Sequence, residues 1–279
     1  MAVRIVTDST SDLPPVLAQE LGISVVPLSV IFGDEAFREG VGISQDEFYE
    51  KLVRSRVLPT TSAPSVGDFL AVYEPLLKET DEIVSIHISS KLSATHDNAC
   101  QAAKQLAERG ARVEVIDSQS VSFGLTFMAA AAARAAMSGS ALDDICKLVR
   151  SMVPRIRIIV VLDTLEYLRR GGRIGRARAF LGAVLRVKPL LSLREGEVHP
   201  EERVRTKRHA LDRIFQIVTS YRVSEAAIGY STNAEDAEEM KRRLGEALPG
   251  VQVHLQRLGP VIGVHAGPGV LGVGVLEGE

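Results

Sequence analysis

The sequence predicts an α/β protein of two domains. A mainly parallel α/β/α domain spans residues 1–154, and a second α/β domain with a mixed sheet spans 155–279. Three observations carry this reading. At 279 residues the chain is long for one hydrophobic core and comfortable for two. Through the first half, short β-rich runs alternate with helical patterns, the signature of βαβ units. After Pro154 the strands come closer together, as antiparallel pairs require.

The first half predicts strands at 3–6, 23–32, 82–88 and 112–117, with helices near 14–21, 45–55, 66–79 and 94–109 between them. Asp12 followed by Pro14 and Pro15 starts the first helix and Gly22 stops it. Ser44 with Glu47, and Ser65 with Asp68, have the spacing of capping boxes. Two further helices follow at 123–137 and 141–153, the second capped by Ser140. Beyond Pro154, residues 157–162 read as a buried strand. Next come a helix interrupted at Gly171-Gly172, a second helix, and a hairpin turning on Glu195-Gly196. A helix (206–220), a strand (226–230), a helix (234–247) and strands at 251–257, 259–266 and 269–277 complete the chain.

Composition excludes several classes of function. A net charge of −2 recruits neither nucleic acid nor an anionic membrane surface. The most apolar stretch, 123–139, carries Arg134 and is too short and alanine-rich to span a bilayer, so no stable membrane insertion is expected. The beginning MAVRIVTDST enters a strand within two residues, leaving no room for a signal peptide, and Cys100 and Cys146 read as packed thiols. These features predict a cytoplasmic protein. The glycines of GPGVLG (267–272) match a dinucleotide fingerprint only formally, because no helix follows them. No phosphate-binding loop of the G-x-x-x-x-G-K type occurs, and the histidines show no metal-ligand spacing.

Two segments concentrate hydroxyls. In LPTTSAPSVGDF (58–69), Ser65 caps a helix, but Thr60, Thr61 and Ser62 have no such duty. ISSKLSATHDNA (88–99) leaves a buried strand and enters a helix, with Ser93 where an N-cap belongs. The end of a parallel strand and the first turn of a helix together present free N–H groups to an anion. Ser93 is therefore either a cap or an anion ligand. Ser89-Ser90-Lys91 also permits a Ser–Lys nucleophile pair, without the companion motifs of a serine hydrolase. His265, in HAGPG, sits beside glycines that allow close approach, whereas His87, His199 and His254 read as structural or solvent-facing. RRGGRIGRAR (169–178) could hold Arg173 against a neighbour, and RVRTKRHALDR (203–213) is a charged helix start or a patch for an acidic partner.

TDSTSDLP (7–14), PTTSAPS (59–65), ISSKLSAT (88–95), VIDSQSVS (115–122), DTLEYLRRGGRI (163–174), Lys188-Pro189, Val204-Arg205-Thr206 and GPVIGVHAGPG (259–269) occur in one order from end to end. In these motifs the chain resembles the DegV family. The resemblance implies a bacterial two-domain α/β protein with one long-chain fatty acid, such as palmitate, in a buried tunnel between the domains. It implies that some members serve as the binding subunit of a fatty acid kinase, with no catalysis and no cofactor of their own. Carried over by motif, the carboxylate ligands fall on the hydroxyls of Thr61 and Ser93, flanked by Ser62 and Ala94. His265 and Arg173 complete the head-group site, and presentation to the kinase falls on Arg205. The sequence departs from the family at Ala94, where the family usually has glycine, and at Gly175, where it has serine.

Three functions compete. A fatty-acid-binding kinase subunit predicts a copurifying lipid and no turnover by the chain alone. A hydrolase using Ser89, Ser90 or Ser93 predicts esterase activity. A small-ligand sensor predicts partner binding that changes with ligand and yields no acyl phosphate.

Overall fold

Apolar β-branched runs too short for helices make the strands here, and capping residues place the helix starts. The computed structural model describes residues 3–55, 57–182 and 187–278. The chain begins β1 (Arg4–Asp8), α1 (Pro15–Glu20), β2 (Ile23–Val26), β3 (Ser29–Phe32), β4 (Glu35–Arg38), α2 (Gln45–Arg54), β5 (Thr60–Ser62) and α3 (Val66–Leu76). It continues β6 (Glu82–His87), α4 (Thr95–Ala107), β7 (Arg112–Asp117), α5 (Phe123–Met137) and α6 (Leu142–Met152). The remainder is β8 (Ile156–Val161), α7 (Glu166–Arg170), β9 (Lys188–Arg194), β10 (Glu197–Val204), α8 (Lys207–Thr219), β11 (Val223–Tyr230), α9 (Ala234–Ala247), β12 (Val253–Arg257), α10 (Pro260–Ala266) and β13 (Leu271–Glu277).

Strands β2-β1-β6-β7 form a parallel sheet in that order. One face packs on α3 and α4 through Phe69, Tyr73, Ala99, Ala102 and Leu106. The other packs on α5 and α6, and the same core runs on to Ile156, Ile158, Leu162 and Leu191 of the second half. The alanines of α5 (Ala129, Ala132, Ala133, Ala136) are buried there and let neighbouring elements approach closely. The second sheet, β10-β9-β8-β13-β11-β12, is antiparallel except for β11 with β12. Its outer face packs Val161, Leu190 and Val273 on Ile214 and Val218 of α8 and Met240 and Leu244 of α9. A small third sheet, β4-β3-β5, packs on α2 and α10 through Val30, Phe48, Leu52, Val261 and Val264. The fold is thus α/β with one parallel and one mixed sheet, as the sequence predicts.

Several local expectations need correction. The run at 23–32 breaks at Pro27, which lacks the N–H a continuous ladder needs; β2 joins the parallel sheet and β3 the small antiparallel one. The segment at 259–266 is a helix, not a strand. Pro260 at its first position supplies a helical start, and burial against α2 overrides the strand preference of Val261, Ile262 and Val264. The second helix after Gly171-Gly172 is a short 3-10 segment, Gly175–Phe180. Ser140 does not cap α6, whose N-cap is Ala141. Both predicted capping boxes form, at Ser44/Glu47 and Ser65/Asp68. The hairpin turns on Glu195 and Gly196, both with positive φ.

Candidate functional site: an apolar cavity with one polar end

Strand alternation builds a cavity between the two main sheets. In β8, Ile158 and Val160 face inward, while Ile159 and Val161 turn to the outer core. In β9, Leu191 and Leu193 pair with Val160 and Ile158 and face the same space. Ile88, Leu92, Val121 and Phe123 close it from the parallel-sheet side, and Leu258, Val261 and Ile262 from α10 and its approach. The space open to the centre of a water-sized sphere is about 150 Å³.

Thr61, Ser93, Arg173 and His265 also line it, and their contacts tie them to one region. Thr61 sits on β5, paired with Val30 of β3. Alternation leaves Thr61 half-buried, while Thr60 and Ser62 on either side are exposed. The Thr61 Oγ1 lies 2.9 Å from His265 Nε2. The Arg173 guanidinium donates from Nε to the Leu92 carbonyl at 3.0 Å, next to Ser93, and from Nη1 to the Gly171 carbonyl at 2.6 Å. A Cβ on Gly171 would strike the His265 ring, so the paired glycines are what let the arginine loop close against the imidazole.

The electrostatics favour an anion. No carboxylate among the described residues pairs with Arg173. His265 is held neutral, its pKa pushed down to about 4 by burial and then by the charge of Arg173. Its Nδ1 is buried without a partner. The tautomer that leaves no buried N–H unsatisfied carries its proton on Nε2, which donates to Thr61 Oγ1. The Thr61 hydroxyl proton is then free to point into the cavity. That end combines a hydroxyl donor, a neutral imidazole and an uncompensated guanidinium.

Ser93 is not the N-cap of α4. That position is Ala94, which makes no side-chain cap. The Ser93 Oγ lies 2.8 Å from Thr95 Oγ1 and accepts from the Thr95 N–H at 3.3 Å. Ser62 and Ala94 are exposed and do not line the cavity, and the Ser62 hydroxyl donates to the Ala63 carbonyl at 3.2 Å. Arg205 lies outside it, exposed and without an ion pair among the described residues. The acids just before it in the chain are taken: Glu201 pairs with Arg194 and Glu202 with Arg213.

The serines of a hydrolase reading have other partners. Ser89 is buried and donates to the Gly196 carbonyl at 2.8 Å, joining the two halves. Ser90 donates to Asp117 at 2.6 Å. A Ser–His–Asp array does exist, Ser85–His87–Asp8, but all three are fully buried and Tyr73 closes its serine end at 2.8 Å. No group among the described residues could hold a metal ion, and none of their helices is long and apolar enough to cross a membrane. Sequence reasoning missed two further residues that meet at Gly259 at the start of α10, the half-buried Asp12 and the buried Glu39. The only signals were a helix-start motif and a glycine-rich turn, neither of which announces burial.

Residues 2–278 match a family model described as "Uncharacterised protein, DegV family". A DegV domain-containing protein of Streptomyces coelicolor is 38% identical over 276 residues, 97% of each chain. A solved DegV family protein from Thermus thermophilus, described as fatty acid binding, is 35% identical with a TM-score of 0.93, over 99% of this chain and 100% of that one. DegV of Bacillus subtilis, a solved protein described as a fatty acid binding protein, is 33% identical with a TM-score of 0.92, over 99% and 100%.

Proposed function

This chain belongs to the DegV family, and from that premise we propose that it holds one long-chain fatty acid in the cavity and presents it to a partner kinase. The carboxylate takes the Thr61–Ser93–Arg173–His265 end, and the acyl chain, palmitate or one of similar length, takes the apolar remainder. One observation carries the reading: a largely apolar cavity carries a guanidinium without an ion pair, beside the hydroxyls of Thr61 and Ser93, at one end. A carboxylate leaving water needs charge-assisted hydrogen bonds, and that end offers them. The first turn of α4 beyond Thr95, whose own N–H goes to Ser93 Oγ, adds backbone N–H groups. The tail needs only apolar wall. At ~0.8 kcal/mol per buried CH₂ a sixteen-carbon chain has a gross transfer energy on the order of 10 kcal/mol, which supports tight binding after ordering costs. Extraction of the purified protein and mass spectrometry should find one long-chain fatty acid per chain. A protein that carries none and takes up none when offered it would refute the reading.

Thr61→Ala and Ser93→Ala should each weaken binding while leaving the fold intact. Each removes a hydrogen bond to a charged group, worth ~1.5–3 kcal/mol, or roughly tenfold or more in affinity. A lipid-exchange assay reads the change, and wild-type affinity in both variants would remove the carboxylate from this end.

Acyl phosphate formation by a partner kinase is the finer part of the proposal, and a cationic surface supports it. Arg205 is exposed next to Arg203, whose guanidinium stacks 4.4 Å from the Phe180 ring, and to α8, capped by Thr206. Lys207 is committed to Asp236, so Arg205 is the freer charge for an acidic partner or a transferring phosphoryl group. Arg205→Ala should keep full lipid occupancy yet slow acyl phosphate formation with a fatty acid kinase, measured by hydroxylamine trapping. An unchanged rate at full occupancy would return Arg205 to the solvated surface.

A further inference from the structure

Strands β13 and β11 turn a nearly bare face toward the first half of the molecule. On β13, Leu271, Val273 and Val275 pack into the outer core, so Gly272 and Gly274 between them face inward. On β11, Ala226 and Ile228 go outward, while Ala227 and Gly229 go inward. None of these three glycines has a positive φ, so the backbone requires glycine at none of them. Glycine inside a strand weakens it, and it marks a place where something else comes close to the main chain. What comes close differs among the three.

At two of them the neighbour is protein. A Cβ on Gly274 would meet Phe123 Cδ2 at 2.7 Å and Phe123 Cβ at 2.9 Å. A Cβ on Gly229 would strike the tip of the same ring and meet Leu258 Cδ2 at 2.7 Å. Phe123, at the start of α5, is buried there and forms part of the cavity wall. Gly272 is different. A Cβ on it would meet nothing nearer than the Ile159 carbonyl oxygen at 3.4 Å and Val160 at 3.5 Å, ordinary van der Waals separations. Gly272 itself lines the cavity, beside Val160 on the paired strand β8 and Leu191 beyond it on β9. Neither backbone nor packing calls for a glycine at 272, so the space over its Cα belongs to the cavity.

We infer that Gly272 is a specificity-determining residue: its missing side chain sets the bore of the cavity, and the acyl chain lies there against the bare backbone of β13. The inference rests on the fatty acid reading. The inward-facing residues Ile158 and Val160 of β8, and Leu162 just after it, stand ~7 Å apart along the strand and all line the cavity. Gly272 pairs with Val160, the middle one of the three. Its neighbours on the sheet, Val160 and Leu191, are apolar and offer no hydrogen bond, which suits a hydrocarbon chain and not a head group. A methylene chain crossing Gly272 can approach the main chain to van der Waals distance and gain its dispersion contacts. Any side chain at 272 takes that place and pushes the ligand off the strand.

The test measures palmitate affinity in the full chain by displacement of cis-parinaric acid, together with urea unfolding of the same variants. Gly272→Ala should bind palmitate roughly tenfold more weakly, the effect of forcing one extra methyl into a filled space. Its urea midpoint should stay level or rise, because alanine suits an ordinary strand backbone better than glycine does. Gly274→Ala should instead lower the midpoint, because its methyl strikes Phe123. Val160→Ala removes both γ-methyls beside Gly272, so adding it to Gly272→Ala should recover part of the lost affinity, which a general loosening of the fold would not do. Wild-type or tighter affinity in Gly272→Ala would overturn the inference, as would a double variant that binds no better than the single one. A Gly272→Ala chain that fails to fold, or loses affinity and urea midpoint together, also overturns it, since the space would then belong to the packing. A wild-type chain that takes up neither probe nor palmitate refutes the fatty acid reading, and this inference with it.

Discussion

Arg173→Ala should cost the largest share of fatty acid affinity of any single change at the cavity, on the order of a hundredfold or more. The guanidinium is held by the Leu92 and Gly171 carbonyls and has no carboxylate partner among the described residues, so the positive charge is placed before a ligand arrives. Removing one partner of a half-buried charge pair costs ~2–5 kcal/mol, against ~1.5–3 kcal/mol for a neutral hydroxyl. The loss should exceed that in Thr61→Ala. Arg173→Lys should recover part of it, because lysine keeps the charge but cannot bridge two carbonyls with one planar fork. His265 provides an internal check. The charge of Arg173 is the second cause holding its pKa at about 4, so in Arg173→Ala its midpoint by NMR should move upward while burial keeps it below the ordinary histidine value. A Kd within a factor of about three of wild type, a difference of less than ~1 kcal/mol, would remove Arg173 from the head-group site.

Asp8→Ala should have the largest effect on stability, a loss of about 3–5 kcal/mol. That is a substantial part of the 5–15 kcal/mol typical of a folded domain. Asp8 ends β1 fully buried and accepts four hydrogen bonds, from Thr10 N–H at 3.0 Å, Thr10 Oγ1, Ile88 N–H at 3.0 Å and His87 Nδ1 at 3.0 Å. The carboxylate requires a proton on His87 Nδ1. Nε2 then accepts from Ser85 at 2.7 Å, and Ser85 accepts from Tyr73 at 2.8 Å. Truncation at Asp8 strands the buried donors of Thr10, His87 and Ile88 together, and each stranded group costs its desolvation. Urea unfolding should show a lower midpoint at unchanged slope. A loss under ~1 kcal/mol would mean that the network relaxes around the gap. Because Ile88 lines the cavity and begins the loop to Ser93, lipid exchange should also quicken.

Periodicity and punctuation alone determined much of this protein. The alternation of strands and helices, both capping boxes and the Glu195-Gly196 hairpin follow from spacing, because these features are settled by residues within a few positions of one another. The idle hydroxyl at Thr61 and the paired glycines before Arg173 also stood out locally, and both belong to the cavity's polar end. Only the tertiary structure decided what depends on distant partners. Strand preference at Val261, Ile262 and Val264 yields to a helix because burial against α2 outweighs a weak local propensity. Ser62 is sent outward while Thr61 turns in, because pairing of Thr61 with Val30 sets which face is wet. His87, an unremarkable histidine in sequence, becomes the centre of a sealed network once Asp8, 79 positions away, is brought beside it. Asp12, a helix-start residue in sequence, and Glu39, which carries no sequence signal, converge on Gly259 only in the fold, where Glu39 is buried. Burial is a property of the assembled molecule, and a carboxyl's chemistry depends on its solvent as much as on its identity.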